Sequence, residues 1–376
     1  MHINFAMWRK ASWELIKMDD KQEWDALDVI SKWLIATRSA VTAVTVYSCI
    51  IAGMLAWRDG VFALLPWIVI TLGLFIAHGT NNLLNDYTDY SRGVDNDNYF
   101  RTQYGVHPLV QNFWSKSKQI QWFIVSGVLA TLSGVFGLYY TSFNPLIIGL
   151  FVFGAIVLLA YTYPFKYWGL GEFAIFLIWG PIMVTGVYLV LALGSSGDTA
   201  NMWKVALAGV PFGLSVASIN IGKHIDKMKD DKAKGVGTFP VRVGQTFARY
   251  TDIFSIVAAY GIVIYLVATG YFSTFMLLIL FAAQRAMYAV AVLAKSRPDA
   301  APQGFEAFWP TWFSGFCFYH NRSFGGLFVV GILLDTLFRK LPLDLPLSTN
   351  WIGAIVIGVG IVYAVVKAQM VKAKKA

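Results

Sequence analysis

The sequence predicts an all-α protein, a polytopic bundle of membrane-spanning helices, and three observations carry that prediction. Of 376 residues, 57% are hydrophobic and only 14% are charged, against about 25% charged residues in a soluble domain. Mean hydropathy is +0.58. The apolar residues fall in long continuous runs. Lipid offers the backbone no hydrogen-bond partners, so each such run must satisfy its own amides as a helix.

A spanning helix takes about 20 mostly apolar residues. Ten runs approach that length: 36–57, 61–84, 119–142, 145–163, 173–194, 204–222, 252–270, 273–294, 315–338 and 351–371. The ninth is the most polar at its start, where His320, Asn321 and Arg322 interrupt it. Residues 1–31 mix Trp8, Trp13 and Trp24 with Lys, Asp and Glu and contain no continuous apolar run. That composition predicts an amphipathic segment on the membrane surface rather than a cleavable signal. The chain thus divides into a cytoplasmic N-terminal segment (1–31), a transmembrane bundle (32–338) and an additional C-terminal helix with a basic tail (339–376).

The distribution of charge orients the bundle. The net charge is +9, with 30 Lys and Arg residues. With the N-terminus in the cytoplasm, the outer connections hold only Arg58, Lys204, Arg339 and Lys340. All other basic residues fall on the inner side, which is the positive-inside pattern. This explains the positive charge without a nucleic-acid partner. It predicts a bacterial-type inner membrane protein with both termini cytoplasmic. Cys49 and Cys317 each lie in an apolar stretch, so neither a disulfide framework nor a zinc motif is present.

Two acidic segments fall on that same inner side. In the first, which follows the second run, Asn82, Asp86 and Asp89 are spaced four and three apart, and Asn85 precedes Asp89 by four. In a continuing helix these groups share a face. Carboxylates crowded on one face repel unless a cation sits among them, and ionisable groups at a membrane-helix end are usually functional. Hard oxygen ligands favour magnesium, which binds through one or two carboxylates plus substrate phosphates. Arg101, further along, suits a phosphate oxygen. In the second segment Asp226 and Asp230 are one helical turn apart, and Asp231 follows among lysines that include Lys223 and Lys227. A solvated charge network would look the same. The presence of both segments on one side favours a two-sided metal–diphosphate clamp.

The residues resemble the UbiA superfamily of intramembrane prenyltransferases. Asn85-Asp86-x-x-Asp89 with Gly93 and Asp95 resembles the first motif of the 1,4-dihydroxy-2-naphthoate branch of the menaquinone pathway. Tyr161 to Glu172, through Lys166 and Gly169, resembles that branch's loop after the fourth helix, and Thr238 to Gly244 resembles the close of its second motif. The resemblance covers residues 32–295. It departs where an Arg-Asp pair is usual and Lys223-His224-Ile225-Asp226 stands, and in the tenth helix, since nine are usual in the family.

The resemblance implies magnesium-dependent transfer of a polyprenyl group from a polyprenyl diphosphate to an electron-rich, lipophilic acceptor within the membrane, an aromatic quinone precursor by preference. Metal ligands would come from Asp86, Asp89, Asp95, Asp226 and either Asp230 or Asp231. Asp86, Asp89 and Asp226 would be catalytic. The diphosphate would meet Asn82, Asn85, Arg101, Lys166, Lys223 and Lys227, with Arg38 a further candidate. His224 reads equally as an acid–base group or as a neutral hydrogen-bond donor. The competing classes are a transporter, a non-catalytic membrane subunit of the same fold, and a prenyltransferase with a non-quinone lipid acceptor. A transporter is expected to place its polar sites near the midplane, whereas these acids sit at helix ends.

Overall fold

The computed structural model describes residues 3–95 and 100–340 and the fragments 354–355 and 358–359; the side chains of Arg101 and Thr102 are not described. Among the described residues nine helices are long and apolar enough to cross a membrane. They are Ser39–Arg58, Leu64–Ser91, Lys116–Tyr140, Pro145–Phe165, Gly171–Ser195, Met202–Asp226, Gln245–Ala268, Thr274–Leu293 and Trp312–Lys340, called here the first to ninth spans. Each matches a predicted run to within several residues. The protein is an integral, multi-pass, all-α membrane bundle. Of the tenth run, 351–371, only residues 354–355 and 358–359 are among the described residues.

The bundle has a buried centre and a lipid-facing rim. The first and sixth spans are mostly covered, whereas the third and fourth turn Ile124, Leu132 and Leu159 outward. Exposed apolar side chains in this number are expected where lipid is the solvent. The ninth span begins earlier than its apolar run. It encloses His320 and Asn321, which are buried against Tyr260 and Ser215. Their hydrogen bonds at 3.0 Å satisfy the polar start of that run inside the bundle.

Small residues set the closest crossing. The fifth span is broken at Gly180 and Pro181, where it meets the sixth span at Gly213. A Cβ on Gly213 would lie 2.6 Å from the Phe176 carbonyl, so only glycine fits there. The break frees the Trp179 carbonyl, and Ser48 Oγ of the first span donates to it at 2.6 Å. The backbone therefore stays satisfied, as lipid requires.

The N-terminal segment is helical. It forms three short helices, Phe5–Trp13, Lys21–Ala26 and Val29–Ala36, folded onto the connection after the second span. Trp24 is fully buried and stacks on Phe113 with ring centroids 5.3 Å apart. Val106 N donates to Ile16 O, and Trp33 Nε1 donates to Ser126 Oγ of the third span. Of the three tryptophans in this segment, Trp24 is buried, Trp8 bonds to Asp28 and Trp13 is exposed. Asp28 caps the third helix through the Ile30 and Ser31 amides and also receives the Trp8 indole.

Candidate active site

The second span remains helical to Ser91, past its apolar stretch. His78, Asn82, Asn85 and Asp89 therefore form one stripe, and all four line a cavity of about 330 Å³. The fourth span ends in a kink at Tyr163 and Pro164, which carries Lys166 back toward this stripe. Lys166 Nζ donates to Asp89 Oδ2 at 2.6 Å, and Asn85 Nδ2 lies 3.3 Å from the same oxygen. Asp89 Oδ1 is buried with no hydrogen-bond partner among the described residues.

Asp95 repeats this arrangement. His107 Nε2 meets Asp95 Oδ2 at 2.8 Å, and both side chains are buried. Asp95 Oδ1 also has no hydrogen-bond partner among the described residues. Its carboxylate is among the charges acting on Asp89. Each acid is thus held through one oxygen while the other is buried without a hydrogen-bond partner among the described residues; Asp89 lines the cavity and Asp95 does not. Such carboxylate oxygens suit a hard cation.

The two acidic segments meet at one end of the bundle. Val94, which follows the first, packs on Val236, which follows the second, with Tyr167 against both. Arg242 fastens this corner by donating from Nε to the Gly237 and Tyr167 carbonyls. Gly169 has a φ of +74°, and a Cβ there would lie 2.8 Å from Arg242 Cδ. The stretches around Gly169 and Arg242 that suggested a family thus hold the corner together.

Several predicted site residues are placed elsewhere. Asp86 lies off the stripe, buried, with Oδ1 3.2 Å from Arg38 Nη2, and is not among the cavity-lining residues. Asp226 is turned away from the cavity to the start of the ninth span. It accepts from the Phe313 and Ser314 amides at 2.9 and 3.0 Å and from Arg297 Nε at 3.3 Å. The cause is the helix start itself, whose unpaired amides attract a carboxylate. Asp231 is buried and accepts from Lys227 Nζ at 2.8 Å and from Thr238 Oγ1 at 3.0 Å. Asp230 is half-buried and does not line the cavity. Among the described residues no group of three or more His, Cys, Asp or Glu side chains is arranged to hold a metal. Among the described residues the carboxylates of the second segment have protein partners or stand off the cavity wall.

Among the described residues the charged groups lining the cavity are mostly basic: Arg38, Lys166, Lys223 and Lys227 stand against the carboxylate of Asp89. Burial alone would lower the Lys227 pKa, but the Asp231 and Asp89 carboxylates outweigh it and raise it above its ordinary value. Asn82 lines the wall and donates to the Thr37 carbonyl at 2.7 Å. Arg101 falls among the side chains not described. The remaining wall is apolar or aromatic, with Val44, Ile175, Trp179, Val216 and Phe318. Such a cavity offers a polyanion one end and a hydrocarbon the other.

Sequence reasoning set aside His107 and did not pair Glu172 with His224. Glu172 Oε1 binds His224 Nδ1 inside the bundle, and His224 lines the cavity. No sequence signal joins residues 52 apart. His78 had a signal, since it stands four before Asn82 on the same stripe.

Comparison with known proteins gives the family of the chain. Residues 46–312 match the UbiA prenyltransferase family. A 2-carboxy-1,4-naphthoquinone phytyltransferase of Synechocystis is 27% identical over 239 residues, covering 61% of this chain and 71% of that protein. A 1,4-dihydroxy-2-naphthoate octaprenyltransferase of Haemophilus influenzae is 28% identical over 246 residues, 62% and 76% of the two chains. The apo structure of a UbiA homolog from Aeropyrum pernix superposes with a TM-score of 0.55 at 17% identity, over 77% of this chain and 97% of that one. The chain belongs to the UbiA prenyltransferase family and is an enzyme of prenyl transfer.

Proposed function

We propose that this enzyme transfers a polyprenyl group from its diphosphate to an electron-rich aromatic acceptor, a quinone precursor, in a magnesium-dependent reaction. The observation that carries this reading is the two-natured cavity. Four basic side chains and the unpaired oxygen of Asp89 stand at its polar end, and an apolar wall continues from them. The names of the naphthoate-directed relatives support the choice of acceptor.

Asp89 and Asp95 would hold the magnesium ion through their Oδ1 atoms. Bound there, the ion would offset charge developing on the departing diphosphate. Lys166, Lys223, Lys227 and Arg38 would bind diphosphate oxygens, with Arg101 a further candidate. The apolar wall would hold the prenyl chain and exclude water from the allylic cation, and the face of Trp179 would favour that cation. Glu172 fixes His224 at Nδ1, so Nε2 would take the proton of the acceptor.

The positive-inside pattern supports placing this end of the bundle in the cytoplasm of a bacterial-type inner membrane. The same reading takes residues 32–338 as the catalytic bundle and residues 339–376 as an addition to it. The purified chain, given magnesium, geranylgeranyl diphosphate and 1,4-dihydroxy-2-naphthoate, is expected to release diphosphate and form a prenylated derivative of the naphthoate seen by mass spectrometry, with its mass showing whether a ring proton or the carboxyl, as CO2, is displaced. Diphosphate release with a glycerol-based lipid acceptor and none with the naphthoate would overturn the acceptor assignment. No release with either would overturn the reaction.

A further inference from the structure

We infer that Lys227 takes the place of a second metal ion, so that this enzyme binds its diphosphate with one divalent cation and a fixed ammonium group. The inference rests on the diphosphate reading above and concerns the side of the cavity formed by the second acidic segment.

That segment carries three carboxylates, and each is committed elsewhere or remote. Both oxygens of Asp226 accept the amides that open the ninth span, 87 and 88 residues along the chain. Asp231 is enclosed by Lys227 and Thr238, one on each oxygen. Asp230 does not reach the cavity wall. What the segment does present to the cavity is Lys223 and Lys227. A divalent cation beside two ammonium groups, with no carboxylate on that wall, is repelled rather than bound.

The opposite wall has the reverse character. It carries the Asp89 carboxylate, whose Oδ1 is buried without a hydrogen-bond partner among the described residues. Charge recruited from solution on that wall is therefore built into the chain on the other. Lys227 is suited to this because Asp231 holds it from behind while its charge is felt at Asp89. Held in this way and lining the cavity, the ammonium is a fixed positive charge on that wall.

The count of bound metal tests this. Manganese(II) is titrated into the full-length protein in detergent, saturated with geranylgeranyl thiolodiphosphate, and free manganese is read by electron paramagnetic resonance. One ion per chain is expected, with no spin-coupled pair. Two ions per chain, or a coupled pair, would overturn the inference while leaving the diphosphate site intact. Lys227→Met is expected to keep the count at one and weaken binding of the thiolodiphosphate about tenfold or more. Unchanged affinity in that variant would also overturn it. Lys227→Asp is expected to bind two ions if it folds. Failure of the wild type to bind the thiolodiphosphate with any metal would overturn the diphosphate reading itself, and this inference with it.

Discussion

Lys166 holds one oxygen of Asp89 at 2.6 Å, while the other oxygen of that buried carboxylate has no hydrogen-bond partner among the described residues. The pair joins the end of the second span to the broken end of the fourth. One oxygen fixes the carboxylate, which leaves the other as the candidate metal ligand proposed above.

This division predicts a specific double-mutant pattern. Lys166→Met strands the Asp89 charge in the interior and is expected to cost about 3 kcal/mol of stability. Combining it with Asp89→Asn is expected to restore most of that stability and no activity. Denaturant unfolding in detergent, read beside prenyl transfer, checks both. A Lys166→Met protein of full stability and full turnover would refute the pairing.

His107 stands in the same relation to Asp95. It touches the carboxylate oxygen opposite the one without a hydrogen-bond partner among the described residues. Groups that orient a metal ligand typically change metal affinity by about 10–100-fold. His107→Ala is therefore expected to raise the magnesium concentration for half-maximal activity about tenfold, with turnover at saturating magnesium nearly preserved. An unchanged magnesium dependence would show that His107 does not tune the site.

Asp226 should behave differently from Asp89. Its bonds are those of a helix cap, whose removal costs about 0.5–2 kcal/mol. Asp226→Asn is expected to lower the unfolding midpoint and to leave turnover of the folded protein within about threefold of wild type. A variant with an unaltered midpoint and no turnover would return Asp226 to the catalytic set.

The N-terminal cap should be sensitive to acid. Burial would raise the Asp28 pKa, but its hydrogen bonds to Ser31, Trp8 and Asn4 outweigh burial and hold it at about 2, below the ordinary 3.8. A carboxylate with a depressed folded-state pKa stabilises fully above its unfolded value. That stabilisation is lost as pH falls from about 3.8 toward about 2. Trp fluorescence is expected to report loosening of the cap in that window, and Asp28→Asn to remove the transition. A transition of equal size in Asp28→Asn would assign it to another group.

Much of the fold was legible because lipid makes hydropathy decisive. The nine described spans follow from apolar runs alone. The first acidic segment was legible for a similar reason, since helical spacing fixes which groups share a face. It did not show that Asp86, one position off the stripe of Asn82, Asn85 and Asp89, pairs with Arg38. The second segment was not legible. Spacing shows that Asp226 and Asp230 are a turn apart, but not that a helix start far along the chain captures one of them. The same limit hid the pairs His107–Asp95 and Glu172–His224, and the burial of Trp24 on Phe113, all made by residues distant in sequence.

The most direct measurement is the affinity for geranylgeranyl thiolodiphosphate in the presence of magnesium, compared between Asp89→Asn and Asp226→Asn by calorimetry. Losing a ligand to a bound cation is expected to weaken binding by about 100-fold in the first variant, while the second stays within about threefold of wild type. The reverse order, with Asp226→Asn abolishing binding and Asp89→Asn sparing it, would contradict the account.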